Sequence, residues 1–419
     1  MPTCQSNMIC SPIVLADFLN GHWKHNVRIS SVKATPVNIP LEAGYRWSVG
    51  VLEGMPKTII EVQTSDGIVG LGESPSDAQA DVINKVLGPA LIGKDPFDLV
   101  TCEMSCVPEW RSALNIGDAN AARAFGGIEL ALWDIKGKAL NQPLYKLLGG
   151  AIRKEIQFSE YFAYRLRENG KGGEACIADV VEYCLKMRQE HGSTIFEGKV
   201  GFSNAEEELK LVQTLREALG DEAVIRLDAN YGWTMATANQ MVKALEPLNI
   251  RNIEDPVFGF ENMARLRQHT SIPFSTHECN LQHAVACGAP DAFVANIAAL
   301  GGLAHTLRFA NACEVMCRDF WCYSGDSGIM TAAYLHLSAA TASIREPHQS
   351  LGRWQPMDVI EEGTLRSKNN VIAVPEGPGL GVTLSQEKLR VCHQHYLTHG
   401  PCKEFLNPKG SEFLRLPRF

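Results

Sequence analysis

One pattern recurs along the chain after residue 150: a short apolar segment typical of a strand is followed by an amphipathic segment typical of a helix. The eight strand segments are 156–164, 194–201, 223–230, 250–256, 272–280, 291–298, 319–325 and 350–354. Strands that alternate with helices form parallel sheets, so the repeat predicts an α/β fold with a closed TIM-type barrel of seven or eight units. An open, doubly wound sheet is the alternative, but its glycine-rich phosphate turn is missing from the sequence.

The first 150 residues have a different pattern and predict an α+β capping domain. Two alternating, β-branched segments at 27–39 and 57–74 flank a glycine-containing loop at 40–56, and a long helical pattern covers 119–142. We therefore expect an N-terminal arm and capping domain in residues 1–150, the barrel with the active site in 151–365, and a C-terminal return to the capping domain in 366–419. The apolar stretch at 8–19 contains a proline and an aspartate and lacks a basic start, so it is interpreted as an ordered arm rather than a signal peptide.

Charge and cysteine usage narrow the classes of function. The net charge of −8 argues against nucleic-acid or membrane-surface partners, and the sequence has no apolar run of about 18 residues that could span a membrane. The 13 cysteines form no C-x-x-C pair, which favours reduced, buried thiols in the cytoplasm over a zinc centre. The spacing of His277 and His283 is also wrong for a zinc-protease helix.

Acidic residues end three successive strand segments. Asp228, Glu254 and Glu278 lie one β/α unit apart, and active sites of TIM barrels form at the carboxyl ends of the strands. Three carboxylates at one barrel mouth repel one another unless a cation neutralises them, and oxygen ligands on rigid strands suit Mg²⁺. The sequence therefore predicts a Mg²⁺ site. Asp255 follows Glu254 and should face the other way, so it is interpreted as structural.

The strand segment TIFEGKVG aims an acid and an amine at the same side. Glu197 and Lys199 are two residues apart, and alternate side chains of a strand share a face. Both are therefore expected at the barrel mouth, beside the metal site.

Taken together, these motifs resemble the enolase superfamily, and within it the mandelate racemase and glucarate dehydratase group. The motifs are KVG, LDAN-x-GW, IEDP, IP-x-x-THE and LGG, in this order over nearly the whole chain. The resemblance implies that Asp228, Glu254 and Glu278 bind Mg²⁺ and that Lys199 removes a proton α to a carboxylate, with the metal stabilising the enediolate. It further implies a homo-oligomer and a substrate that is a small carboxylic acid.

The resemblance also assigns substrate-facing residues. Asn230 matches an asparagine that often touches substrate, and the segment GYRWSVG, which includes Trp47, matches a mobile loop that closes over the substrate.

Three positions depart from the pattern of the group. Glu197 replaces the first lysine of the K-x-K motif, Asn296 replaces the aspartate that ends the sixth strand, and Tyr323 replaces the histidine that ends the seventh. Asp326 lies where the muconate-cycloisomerase branch has an acid. A racemase or epimerase needs a base on each face of the substrate, so loss of the His–Asp pair makes that reaction less favoured.

A dehydratase needs one base and one acid, and this is the function we expect. The hypothesis is a Mg²⁺-dependent hydro-lyase, a dehydratase of an aldonate or aldarate that yields a keto-deoxy acid, with Lys199 as base. The acid is Tyr323, Asp326 or the Lys199 ammonium group itself. The candidate substrate contacts are Glu197, Asn230, His277, Asn296 and Trp47. Glu197 could instead pair with Lys199, and His277 and Asn296 could be structural. Tyr323 could equally be a hydrogen-bonded tyrosine of the barrel, Asp326 a cap of the following helix, and Trp47 part of an exposed turn.

Two other functions remain open at this stage. One is a racemase, epimerase or cycloisomerase of a carboxylic acid. The other is a non-catalytic barrel paralogue, although retention of Lys199 and three ligand carboxylates argues against it.

Overall fold

A computed structural model describes residues 27–107, 119–323 and 325–402 of the chain, so the N-terminal arm of residues 1–26 lies outside the described residues. The described part begins with a three-stranded antiparallel sheet in the order β1–β2–β3. Its strands are β1 (Ile29–Trp47), β2 (Gly50–Thr64) and β3 (Val69–Ser74).

The prediction of a loop at 40–56 is wrong, because β1 and β2 continue through it as a long hairpin. Trp47 pairs with Gly50, and only residues 48–49 form the turn. The pairing of β1 with β2 shifts register between Pro40 and Tyr45. Such an irregularity interrupts the alternating sequence pattern of a strand without ending the strand. The segment expected to be a loop over the barrel is thus a β-hairpin.

A long helix, Ala119–Ala139, lies directly on β3. Two alternating glycines of β3 permit this close approach. A Cβ atom on Gly70 would lie 2.1 Å from the carbonyl oxygen of Ala131, and one on Gly72 would lie 2.0 Å from that of Gly127. The VGLGES pattern therefore sets the spacing between the sheet and the helix.

The second half of the chain forms a seven-stranded parallel sheet in the order β13–β12–β11–β10–β9–β8–β5. Its strands are β5 (Glu160–Phe162), β8 (Ile195–Lys199), β9 (Val224–Asp228), β10 (Ile250–Glu254), β11 (Phe274–Thr276), β12 (Ala292–Ala295) and β13 (Asp319–Cys322). This arrangement confirms the predicted α/β barrel with an antiparallel capping sheet.

Helices follow the strands of the barrel and cover its outside. In the capping region the helices are α1 (Gln79–Val82), α2 (Gly88–Leu91), α3 (Leu99–Cys106), α4 (Ala119–Ala139) and α5 (Leu144–Leu147). The barrel helices are α6 (Ile177–His191), α7 (Ala205–Leu219), α8 (Met235–Leu245), α9 (Phe260–Arg267), α10 (Leu281–Cys287), α11 (Leu303–Val315) and α12 (Gly328–Ala340), and α13 (Gln386–His399) follows near the end. Two further pairs of short strands are β4 (Glu155–Gln157) with β14 (Val371–Ala373), and β6 (Arg167–Glu168) with β7 (Lys171–Gly172).

The barrel closes without the predicted eighth strand at 350–354, where the structure has a 3₁₀ turn, Gly352–Trp354. Instead, residues 348–349 connect β13 to the start of β5, the first strand of the barrel. The Ser159 amide donates to the His348 carbonyl over 2.8 Å, and the Gln349 amide donates to the Cys322 carbonyl over 3.2 Å. The His348 ring also accepts from the Cys322 amide over 2.8 Å, so a side chain supplies a bond that a strand would otherwise make. We call residues 348–349 the seam.

The capping sheet is tied to the barrel and to the end of the chain. Helix α13 packs on β1, where Asn38 donates to the Gly400 carbonyl over 2.8 Å. Helix α4 sends Glu129 to the first amides of α11, and its carboxylate accepts from Leu303 over 2.7 Å. His336 is fully buried in α12, and its Nε2 atom lies 3.1 Å from the Leu380 carbonyl oxygen, so it is part of the packed interior. Within the described ranges, no helix is both long and apolar enough to cross a membrane.

Candidate active site

Two of the predicted ligand carboxylates lie side by side at the barrel mouth. Asp228 is the last residue of β9 and Glu254 is the last residue of β10, and the two are paired in register. Both are almost fully buried. Burial, followed by the charge of Asp228, raises the pKa of Glu254 to about 7. Two acids held together out of water create a local demand for positive charge.

His277 lies against this pair. Its Nε2 atom is 2.8 Å from Glu254 Oε1, and its Nδ1 atom is 3.1 Å from the Val294 carbonyl oxygen. Burial alone would lower the pKa of His277, but the charge and hydrogen bond of Glu254, together with the charges of Asp255 and Asp228, outweigh it and raise this pKa to about 10. His277 therefore lies next to a candidate ligand at the barrel mouth.

The exclusion of Asp255 was wrong as a geometric argument. Ligand atoms of Glu254, Asp255 and His277 all lie within 4.8 Å of one another. Asp255 comes after the end of β10 and has a φ of +45°, so the alternation of strand side chains does not apply to it. Burial raises the pKa of Asp255 to about 6.

Glu278 lies differently from the other two predicted ligands. It follows β11 by two residues and its side chain is exposed. Among the described residues, the compact groups of potential ligand atoms do not include Glu278. The structure thus brings Asp228 and Glu254 together and leaves Glu278 beside them at the end of the next strand.

The donor set nevertheless fits Mg²⁺. Asp228, Glu254 and Glu278 supply carboxylate oxygens at three neighbouring strand ends, which is the ligand type that Mg²⁺ prefers. The two buried acids are compensated by the amine of Lys199 and the imidazole of His277. A cation would take over that compensation.

Lys199 reaches the metal region directly. It ends β8, pairs in register with Asp228, and its Nζ atom donates to Asp228 Oδ2. The amine also lies 5.7 Å from the centre of the Trp47 ring and 5.4 Å from that of Tyr161. Burial lowers the pKa of Lys199, but the charges of Asp228 and Glu254 outweigh it and raise the pKa.

Glu197 pairs with an arginine rather than with Lys199. Arg226 lies opposite Glu197 in register on β9, and its Nη2 atom is 2.5 Å from Glu197 Oε2. Both side chains are only 1% exposed. The side chain of Gln349 donates to the other oxygen, Oε1, over 2.6 Å. The barrel therefore carries two stacked charge pairs, Glu197–Arg226 below and Lys199–Asp228 above.

Asn230 and the hairpin turn lie over the same ligand. Asn230 has a φ of +41°, and its backbone amide and side-chain amide both donate to Asp228, over 2.9 and 3.1 Å. Ser48, in the turn between β1 and β2, donates to the Asn230 carbonyl over 2.8 Å. The capping hairpin with Trp47 thus contacts the barrel mouth at the loop after β9.

The other side of the mouth holds Asn296, Tyr323 and Asp326. Asp326 accepts from Lys57 of β2 over 2.6 Å, from Asn296 over 3.0 Å, and from Tyr334. The side-chain oxygen of Asn296 accepts from backbone amides of residues 298 and 299, so this residue is held in the fold by all of its groups. The Tyr323 ring contacts His277 at a centroid distance of 5.3 Å.

Sequence reasoning missed three residues that organise the site: Lys57, Arg226 and Gln349. Arg226 had a signal, because it precedes Asp228 by two residues, as Glu197 precedes Lys199. Gln349 lies at the seam, and its amide bridges Glu197 and Glu254 over 2.6 and 2.7 Å. Lys57 comes from the capping sheet, 269 positions from its partner, and no local pattern marks it.

Two family models match this chain. Residues 29–149 match the "Mandelate racemase / muconate lactonizing enzyme, N-terminal domain", and residues 179–388 match the "Enolase C-terminal domain-like" model.

Individual relatives carry different reactions. The chain is 29% identical over 371 residues to a probable glucarate dehydratase of Streptomyces coelicolor, covering 82% of this chain and 85% of the relative. It is 28% identical over 385 residues to a chloromuconate cycloisomerase of Cupriavidus necator, covering 87% and 98%. An enolase from Pseudomonas fluorescens, solved with bound magnesium, potassium and tartrate, superposes with a TM-score of 0.80 at 26% identity, covering 89% of this chain and 94% of that one.

Proposed function

This chain belongs to the enolase superfamily, in its mandelate racemase and muconate lactonizing enzyme group, and from that premise we propose that it is a Mg²⁺-dependent dehydratase of a polyhydroxy acid. The dehydratase among its relatives and the tartrate bound by a structural neighbour support a hydroxylated carboxylic acid as substrate.

The observation that carries the proposal is the asymmetry of the mouth. Lys199 provides an amine on one side, beside Asp228. On the other side, Asp326 accepts hydrogen bonds from three protein donors, so of the two candidate acids there, Tyr323 is the one with a proton to give. Burial raises the pKa of Tyr323, so the phenol keeps its proton. One base facing one acid matches an elimination better than a two-base proton exchange.

Asp228, Glu254 and Glu278 would hold Mg²⁺, which would supply Lewis-acid stabilisation of the substrate carboxylate. With Asp228 and Glu254 neutralised in this way, Lys199 would lose the charges that hold its proton. In the proposed reaction the neutral Lys199 amine removes the α-proton. The electron pair left behind forms the carbon–carbon double bond as the β-hydroxyl departs, and the Tyr323 hydroxyl protonates that leaving group to give water. The enol product then tautomerises to the keto-deoxy acid.

Other chain residues position these groups. Glu197 is fully occupied by Arg226 and Gln349, so we assign it to positioning β8 rather than to contact with substrate. Asn230 donates two hydrogen bonds to Asp228, and its own carbonyl accepts a hydrogen bond from Ser48 of the hairpin turn. Trp47 stands over the Lys199 amine and is the residue we expect to shield it from water.

The proposal is tested by incubating the protein with a panel of aldonic and aldaric acids and measuring keto product. We expect turnover of at least one acid with Mg²⁺, none with chelator, and none in Lys199→Ala. Tyr323→Phe should lower kcat more than it changes KM, because the phenol acts in the bond-breaking step. Turnover that survives in Lys199→Ala would refute the assignment of the base.

The cycloisomerase relative supports a second candidate, an isomerase of a carboxylic acid. Proton NMR in deuterated water separates the two. Exchange at the α-carbon without loss of water would favour the isomerase, whereas loss of water with a new keto signal would favour the dehydratase.

A further inference from the structure

A second group of potential metal ligands lies on two neighbouring helices outside the barrel strands. Glu261 is in the first turn of α9, and His283 and Cys287 are both on α10. Ligand atoms of the three side chains lie within 4.8 Å of one another. The group shares no residue with the mouth of the barrel, and neither the family resemblance nor the proposed reaction uses it.

Local structure explains why these side chains meet. His283 and Cys287 are four residues apart, so they lie on one face of α10. The Asn280 side chain accepts from the His283 amide over 3.2 Å and fixes the start of that helix. The His283 ring packs on the buried Phe260 ring at 5.0 Å, which directs the imidazole toward α9. Its Nε2 atom lies 2.9 Å from Glu261 Oε1.

We propose that Glu261, His283 and Cys287 form a binding site for a thiophilic divalent cation, with Zn²⁺ as the best fit. Thiolate, imidazole and carboxylate are the three side-chain ligand types of zinc in proteins, and three protein ligands plus one water complete a tetrahedron. A soft sulfur ligand selects against Mg²⁺, so this site and the barrel mouth should take different metals.

The distances require only a small closing movement. Ligands at about 2.0–2.3 Å from a tetrahedral zinc ion lie about 3.3–3.7 Å from one another. The His283–Glu261 contact of 2.9 Å is about 0.4 Å shorter than that range and would open slightly, and the upper bound of 4.8 Å to the thiol leaves about 1 Å to close. These side chains are half-buried or exposed, so they have room to move.

Binding replaces protons by the metal. Without a cation, burial and the charge of Glu261 raise the pKa of Cys287, which keeps the thiol protonated. Uptake of the cation releases the thiol proton to solvent. Affinity should therefore rise with pH. The bound ion would also clamp α9 to α10, the helices that follow the strands ending near Glu254 and Glu278.

The test is titration of the reduced full-length protein with Co²⁺ and with Zn²⁺ in the presence of excess Mg²⁺. We expect one equivalent of Co²⁺ to give a thiolate-to-metal charge-transfer band, which a site made only of oxygen and nitrogen ligands cannot give. Zn²⁺ should abolish the band by displacement. Cys287→Ser should remove it, and His283→Gln should weaken binding by more than roughly 100-fold, since even residues that only support a ligand contribute roughly 10- to 100-fold.

Matched controls separate this site from other thiols and from the barrel. Cys317→Ser changes an exposed cysteine outside the group and should leave the band unchanged. Glu254→Gln alters the mouth and should also leave it unchanged, so a failed dehydratase assignment would not affect the result. Equal Zn²⁺ affinity in wild type and Cys287→Ser, or a band that persists in Cys287→Ser, would overturn the proposal.

Discussion

The buried pair of Glu197 and Arg226 allows a quantitative test of the barrel interior. Replacing Arg226 by Met keeps most of the apolar volume and removes the guanidinium group. That group donates to Glu197 over 2.5 Å and to the Pro347 carbonyl over 2.9 Å, and it lies 4.8 Å from the Trp321 ring centre. The substitution therefore leaves a buried carboxylate and a buried carbonyl without these donors.

The expected cost follows from those contacts. A hydrogen bond to a charged partner contributes about 1.5–3 kcal/mol, and a buried acceptor left without its donor costs about 1–3 kcal/mol. Gln349 still donates to Glu197 and limits the loss. We expect the free energy of unfolding to fall by about 3–5 kcal/mol, the range measured when one partner of a buried ion pair is removed.

Equilibrium unfolding in urea, followed by far-UV circular dichroism, measures this change. The matched control is Arg251→Met, which removes an arginine that is 58% exposed and pairs with Glu346 at the surface. That substitution should cost about 1 kcal/mol or less. In the double variant Glu197→Gln with Arg226→Met, the cost should be smaller than the sum of the two single costs. If Arg226→Met costs no more than the control, the reasoning about the buried pair is refuted.

Three further outcomes are expected. Burial lowers the pKa of His348 to about 3, below its unfolded value of about 6.5, so its stability contribution is complete above pH 6.5 and is lost as the pH falls toward 3. Between pH 7 and 4 the free energy of unfolding should fall by about 3 kcal/mol, at about 1.4 kcal/mol per pKa unit. Urea titrations at each pH should show a smaller fall over the same pH range in His348→Gln. Gly198→Ala should destabilise the barrel by roughly 1–3 kcal/mol, because its Cβ would lie 1.9 Å from the Phe162 ring, and Phe162→Leu in the same chain should recover part of that loss in urea; an additive double variant would contradict this. Mg²⁺ at about 100 times its Kd should stabilise the protein by about 2.7 kcal/mol, seen as a raised melting temperature by calorimetry, and the effect should vanish in Glu254→Gln; an unchanged shift in that variant would place the ion elsewhere.

The features that the sequence predicted are those governed by repeating geometry. The ends of parallel strands share one edge of a barrel, so Asp228 and Glu254 were placed together correctly from spacing alone. The same rule does not describe side chains beyond a strand end. It therefore misjudged Asp255, which has a positive φ, and it did not anticipate the exposed position of Glu278.

Contacts between distant parts of the chain could not be predicted from the sequence. The pairing of Lys57 with Asp326 depends on how the capping sheet docks on the barrel, and docking leaves no periodic trace in either segment. The eighth strand was predicted at 350–354, but the His348 ring makes the closing bond two residues before that segment. Tertiary packing outweighed local pattern at both places.

The seam links the closure of the barrel wall to the positions of the side chains in the metal region. Gln349 uses its backbone amide to hold β13 and its side chain to hold Glu197 and Glu254. A transient opening of the wall between β13 and the first strand would therefore release Glu254 from one of its donors at the same moment. Such local fluctuations are observed as amide hydrogen exchange, and they occur most easily where few backbone bonds join two segments. In this barrel, the exchange rate of the Gln349 amide would report how often the candidate ligand set comes apart, and a bound cation that holds Glu254 in place should slow it.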